Sequence, residues 1–215
     1  MHLFIEGEPS TFATTSEKIW KQRLALCVPL LQEKKRYKGI ALRFTLSTPF
    51  RHNQPFDLDN LVEPVLSVLI SKKGYFSGKR TNLEWWYARK DIGNPAGVEI
   101  EIFEGKPSID IKGKEIFNGE YSGELPKSAT SKGLPQWLIS LGFRERRYER
   151  FGIHLIFPER VNIGEISTGT VKSTIDCLWP IIGGKGGAPE DWRIDELLVE
   201  RQLGYNSLRL KVFGR

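Results

Sequence analysis

No stretch of the sequence carries about 18 consecutive apolar residues, which excludes a membrane-spanning helix and predicts no membrane partner. Cysteine is scarce. Cys27 and Cys177 stand far apart in apolar helical contexts and form no C-x-x-C pair, so a disulfide scaffold and a paired-thiol metal knuckle are both excluded. Two buried thiols in a reducing, cytoplasmic setting are expected. The first residues, Met1-His2-Leu3-Phe4-Ile5-Glu6-Gly7, reach an acid too early for a signal peptide. Histidine is equally sparse: His52 and His154 lack partners at ligand spacing, so neither is assigned to a metal. A phosphate loop is missing too. Gly183-Gly184-Lys185-Gly186-Gly187 lacks the G-x-x-x-x-G-K-[ST] spacing and follows a helix, so it reads as a connection whose amides could still touch phosphate.

What is present is an ordinary globular chain of 215 residues, 40% apolar and 27% charged, enough for a sizeable core. That length allows one large domain or two of about 100 residues each. The 32 Lys and Arg residues exceed the 26 Asp and Glu residues, for a net charge of +6. This balance permits a polyanionic partner without requiring one.

Period and punctuation show an order written twice. In the first half, a strand Leu3–Gly7 precedes a helix from about Ser16 to Leu31, with Ser16 able to cap it. A strand Gly39–Leu46, a helix from Asp59 to Ser71, and strands Leu83–Arg89 and Val98–Phe103 follow. In the second half, Ile109–Gly113 takes the place of Leu3–Gly7. A helix Gln136–Leu141, a strand Gly152–Phe157, a helix from Thr168 to Ile182, and strands Ile194–Arg201 and Leu208–Phe213 complete the series. The expected fold is α+β: two tandem β-α-β-α-β-β units, residues 1–106 and 107–215, forming a pseudo-twofold pair of mixed sheets flanked by helices. Chance similarity of strand and helix order is the alternative. The basic excess is shared, with 16 basic and 12 acidic residues through Lys106 and 16 and 14 thereafter.

The sharpest local feature is Phe56-Asp57-Leu58-Asp59-Asn60-Leu61 at the start of the second helix. Two carboxylates one residue apart can converge on a hard cation such as Mg²⁺, which takes a few carboxylate oxygens and keeps several waters. A carboxylate that merely caps the helix is the competing explanation.

The stretch from Arg51 through Leu69, with this D-L-D-N-L run inside it, resembles the signature of RusA-type Holliday-junction resolvases, and Phe4-Ile5-Glu6-Gly7-Glu8-Pro9 looks like that family's first strand and turn. The resemblance spans about 100 residues of the first half and extends more faintly over the second. It implies a Mg²⁺-dependent endodeoxyribonuclease of recombination and repair that cuts four-way DNA junctions with three aspartates and a lysine. Asp57 and Asp59 match two of the metal-binding aspartates. The lysine position falls on Glu63, and Gly78-Lys79-Arg80 stand where an acidic pair should be. The second half departs in the opposite sense. It has no D-L-D-N, yet Lys172 falls on the lysine position and Glu190-Asp191 resemble the acidic pair. The implied site set is therefore Asp57, Asp59, Lys172 and Asp191 for catalysis, and Asp57, Asp59, Glu190 and Asp191 for the metal. Either both sites are degenerate, which is the preferred expectation, or the halves pool one site.

Arg51, His52, Lys72, Lys73, Lys79 and Arg80 are the expected DNA contacts, gripping phosphate on branched or duplex DNA. Trp85-Trp86-Tyr87 are consecutive, so at least one should leave the core face, to stack on a base or pack on a neighbour. The alternative to a nuclease is a catalytically degenerate DNA-binding or assembly subunit of a larger complex. A protein-interaction domain without nucleic acid is a third reading.

Overall fold

The computed structural model describes residues 1–31, 36–51, 54–142 and 148–215, with the backbone alone for Arg51 and Gln54. Eight strands build one sheet: β1 (His2–Glu6), β2 (Gly39–Leu46), β3 (Trp85–Ile92), β4 (Gly97–Phe103), β5 (Lys114–Tyr121), β6 (Phe151–Pro158), β7 (Ile194–Gln202) and β8 (Leu208–Gly214). Their order across the sheet is β1-β4-β2-β3-β7-β6-β8-β5. Each half thus contributes four strands in one order, meeting at the antiparallel β3–β7 pair, where Leu198 faces Tyr87 and Val199 faces Trp86. Pairing senses agree as well. β2 runs parallel to β3 as β6 does to β7, and the outer pairs of both halves are antiparallel.

Alternation decides which face each residue takes. Ile40, Leu42, Phe44 and Leu46 of β2 point to one face and join a large apolar core. The same core receives Trp20 and Leu24 of α1 (Glu17–Cys27), five apolar residues of α2 (Leu58–Ser67), and Leu134 and Leu138 of α3 (Gly133–Ser140). Val171 and Ile175 of α4 (Thr170–Asp176) and Ile181 and Ile182 of α5 (Trp179–Ile182) complete it. The helices therefore pack on one face of a mixed sheet whose core runs across both halves.

The opposite face explains the aromatic triplet. Trp86 belongs to the helix-side core, while Trp85 and Tyr87 point the other way with Ala41 and Leu198. All three aromatics are buried, because Ile109 and Ile111 of the inter-half segment cover that second patch. No aromatic of this triplet is available to a nucleic base. The expected strand Ile109–Gly113 is consequently not a strand, and Lys114–Tyr121 takes that place at the sheet edge. Gly39 makes room for this arrangement: a Cβ there would lie 2.1 Å from the Trp85 indole.

Other boundaries moved less. The first helix ends at Cys27, and Ser16 at its start bonds Ser10 Oγ without capping a backbone amide. The second passes at Val68 into a π-helical turn to Lys72, and the expected helix Thr168–Ile182 is split into α4 and α5. Cys177 is buried as expected, but Cys27 lies on the exposed side of its helix. The glycine-rich loop forms a small hairpin in which Gly184–Lys185 pairs with Ala188–Pro189. Among the described residues, no helix is long and apolar enough to cross a membrane.

Candidate functional site

The D-L-D run enters α2 in a way that frees its carboxylates. Asp57 is the N-cap with extended backbone, and its carbonyl accepts from the Leu61 amide to begin the helix. Its carboxylate does not cap a backbone amide; Oδ2 accepts instead from the Asn60 side-chain amide at 3.0 Å. The capping explanation of the motif therefore fails for Asp57. Two residues further in, Asp59 is 2% exposed.

Across the midline of the sheet, α4 presents Lys172. Its Nζ lies 3.1 Å from Asp59 Oδ2, 3.0 Å from Asp176 Oδ1 and 2.7 Å from Asp191 Oδ2. Asp176 is reached one helical turn along the same helix, and Asp191 opens the short 3-10 turn Asp191–Arg193 that leads into β7. One ammonium thus gathers a carboxylate of the first half and two of the second. Asp59 of the first half therefore lies with Lys172 and Asp191 of the second, while Glu190 does not join them.

The electrostatics of this cluster follow from its burial. Desolvation pushes the Asp57 carboxyl up to about 7, with the Asp191 and Asp59 charges adding to the shift. Asp59 and Asp176 are likewise raised, first by burial, with Lys172 opposing. Burial works against the charge of Lys172, but Asp59, Asp191 and Asp176 outweigh it and hold the ammonium protonated. Among the described residues, Lys172 pairs with Asp59, Asp176 and Asp191, and Lys172 and Lys90 are the ammonium groups that oppose the shift of Asp57.

Lys90 fixes the geometry from below. Buried in β3, it donates to the carbonyl of Phe56 at 2.5 Å and to that of Trp192 at 2.7 Å. It therefore ties the residue before Asp57 to the residue after Asp191. Desolvation lowers its pKa to about 8 despite the nearby Asp195 and Asp57 charges. Beside it opens a cavity of about 170 Å³ walled by Phe50, Phe56, Ile92, Trp192 and Arg150. The Arg150 guanidinium lies 5.5 Å over the Trp192 ring.

Asp57, Asp59, Asp176 and Asp191 are hard oxygen donors of the kind a divalent cation takes. Asp59 Oδ2 is buried and makes no hydrogen bond, although the Lys172 ammonium is close. The cation these carboxylates hold is the Lys172 ammonium, and a divalent ion would take their oxygens only by sharing them with it. The carboxylates are spread around the ammonium and are not closed into a shell. Among the described residues, the group of ligand atoms lying within 4.8 Å of one another is His2, Glu99 and Glu101, on the open sheet face, where Arg43 pairs with both glutamates.

Other expected site residues fall elsewhere. Glu190 turns away from the cluster and pairs with Arg193 at 3.1 Å, so it does not join Asp191 as a ligand here. Arg80 is engaged by Glu63 and is not a free phosphate contact; Lys72 and Lys79 are exposed and Lys73 half-buried. The side chain of Arg51 and the whole of His52 lie outside the described residues. His154 bonds Glu200 at 2.6 Å within the sheet. Sequence reasoning missed two participants, Asp176 and Lys90. The first carried a usable signal, its i,i+4 spacing from Lys172; the second, a lysine in a strand otherwise apolar on that face, is recognisable only once both sheet faces are known to be covered.

In comparisons with protein-family models, with curated proteins and with solved structures, nothing matches this chain.

Proposed function

We propose that this chain is a single-chain endodeoxyribonuclease of the RusA type, acting with Mg²⁺ on branched DNA such as a four-way junction. The observation that carries the reading is the convergence of Asp59, from the D-L-D-N segment, with Lys172 and Asp191 of the other half. These are the residues that the resemblance assigns to one catalytic set, and each half alone lacks part of it. The two halves, on this reading, are degenerate copies of one unit, and their matching strand order supports the duplication.

Asp57, Asp59 and Asp191 would hold the ion, and Asp176 balances Lys172 from the side. When bound, Mg²⁺ would activate water and offset charge on the phosphate. Lys172 keeps the carboxylates from repelling one another and presents positive charge where the phosphodiester must approach. Lys90 holds the D-L-D loop and the Asp191 turn at a fixed separation. The net charge of +6 and the exposed Lys72 and Lys79 support phosphate contact outside the site.

The test is cleavage of a labelled four-way junction with Mg²⁺ by the parent chain, by Asp59→Asn and by Lys172→Met. Cutting by the parent, lost by at least about a hundredfold in both variants, is expected. Absence of cutting on junctions, forks and duplexes would refute the nuclease reading. Salt-dependent junction binding unchanged by Asp59→Asn would then favour the second reading, a non-catalytic DNA-binding or assembly subunit. Glu63 and Arg80, which replace the lysine and an acid of the first half, motivate that alternative.

A further inference from the structure

The matching strand order gives each part of the acidic site a counterpart. The helix α4 and the turn Asp191–Arg193 lie between β6 and β7; α2 and the turn Arg80–Asn82 lie between β2 and β3. In the second half, Lys172 of the helix pairs with Asp191, the first residue of its turn. In the first half, Glu63 of the helix pairs with Arg80, the first residue of its turn. The two ion pairs join the helix and the turn of corresponding connections, with their charges exchanged.

The correspondence extends across the midline. Lys172 reaches from the second half to Asp59 in the first. Arg80 reaches from the first half to the carbonyl of Gly164 in the second, at 2.7 Å. At this counterpart, however, no carboxylate oxygen is left for a cation among the described residues. Both oxygens of Glu63, 4% exposed, are taken by Arg80 nitrogens at 2.6 and 2.8 Å, and the group facing them is a backbone carbonyl. Glu63 is the only acid of that pair, and the guanidinium neutralises it.

We infer that, of the two counterpart positions, only the one at Lys172 is a cation-binding centre, so that the chain hydrolyses one strand per encounter and its product is a nick. This rests on the nuclease reading above and specifies its outcome. A twofold-symmetric pair of sites cuts two strands related by that axis; with one site charge-reversed, only one strand meets the acidic centre. In that step the oxygen of one water bonds to phosphorus and one P–O bond to a sugar breaks. The leaving sugar oxygen takes a proton and the other end keeps a phosphate monoester, so no further reactant is needed.

A negatively supercoiled plasmid that extrudes an inverted repeat as a cruciform separates the outcomes. It is incubated with Mg²⁺ at protein concentrations where sedimentation shows one chain per particle. Open circles should form first, with linear DNA appearing only after they accumulate. Linear DNA formed directly from supercoiled plasmid would overturn the inference. Mn²⁺ binding followed by electron paramagnetic resonance tests the single centre without cleavage. Asp59→Asn should weaken Mn²⁺ binding by about tenfold or more, while Glu63→Gln, which keeps a partner for Arg80, should leave stoichiometry and affinity as in the parent. Partial loss of bound Mn²⁺ in Glu63→Gln would show a second centre and overturn the inference, as would absence of Mn²⁺ binding by the parent. Plasmid that stays supercoiled beside the expected Mn²⁺ pattern would refute the nuclease reading and leave the single centre standing.

Discussion

Lys172 and Asp59 lie 3.1 Å apart although they belong to opposite halves of the chain. The contact exists because β3 and β7 pair at the middle of the sheet, which brings the helices preceding them together over that midline. A single ammonium there faces three buried or half-buried carboxylates. Its removal should be felt both in stability and in ion binding.

Replacing Lys172 by Met leaves Asp59, Asp176 and Asp191 without their common partner. A loss of about 3–5 kcal/mol is expected at pH 7.5 in urea unfolding without divalent ions. Millimolar Mg²⁺ should restore part of this loss, and lowering the pH should shrink it as the raised Asp59 and Asp176 carboxyls take up protons. A variant as stable as the parent at pH 7.5 would contradict the central role of this ammonium.

Asp57 gives a pH signature of opposite kind. Its folded-state pKa of about 7 lies above the ordinary carboxylate value, so the unfolded chain releases this proton first as pH rises. The ion-free protein should lose stability through this group between about pH 4 and 7, with the penalty complete above 7. Asp57→Asn should gain roughly 1–3 kcal/mol at pH 8 and nothing at pH 4. Paired denaturation series at the two pH values check this; an equal effect at both would exclude titration of Asp57 as the cause.

Period-two and helical patterns made the eight main strands legible apart from β5, because those strands alternate cleanly or are bounded by glycine. The edge strand was misplaced onto Ile109–Gly113 because its alternation is real but serves another surface, the Trp85 and Tyr87 patch. The aromatic triplet splits between the two faces as expected, and that hidden surface makes the outward pair pack on a neighbour. At the site, the D-L-D run drew attention to Asp57 and Asp59, and the resemblance alone added Lys172 and Asp191. Whether they meet was left open, since it depends on which strands pair at the sheet centre. Degeneration was the preferred expectation because the resemblance implies sites assembled within one unit, and the contacts of Lys172 bear on the placement of the residues alone. Glu190 shows the limit of adjacency: of two neighbouring acids, the one that starts the turn faces Lys172 and the other meets Arg193.

Lys90 couples the D-L-D loop to the Asp191 turn through two carbonyls, of Phe56 and Trp192. Its pKa is lowered to about 8 by burial, whereas the unfolded chain keeps the proton until about pH 10.4. Stability contributed by this residue should therefore rise from pH 8 to pH 10, because the unfolded state binds more protons there. Comparing the parent with Lys90→Met across that interval isolates the effect; the gap between them should widen in the parent's favour. At neutral pH the variant should cleave junctions at least about tenfold more slowly with unchanged DNA affinity, since it disturbs placement and removes no phosphate contact.

Glu63 and Arg80 allow the structural and chemical roles of buried ion pairs to be separated within one molecule. Arg80→Met leaves Glu63 buried and charged, and should cost about 3–5 kcal/mol. The double variant Glu63→Leu/Arg80→Met removes both charges and should recover most of that loss, giving a positive coupling in a thermodynamic cycle. The corresponding double change at Lys172 and Asp191 should differ in consequence. It can also recover stability, yet Mn²⁺ affinity and junction cleavage should stay lost, because those residues face Asp59 and Asp57. If the Glu63→Leu/Arg80→Met protein folded like the parent but lost Mn²⁺ binding as well, the two positions would be chemically linked, and the reversed pair could not be a purely structural substitute for a second site.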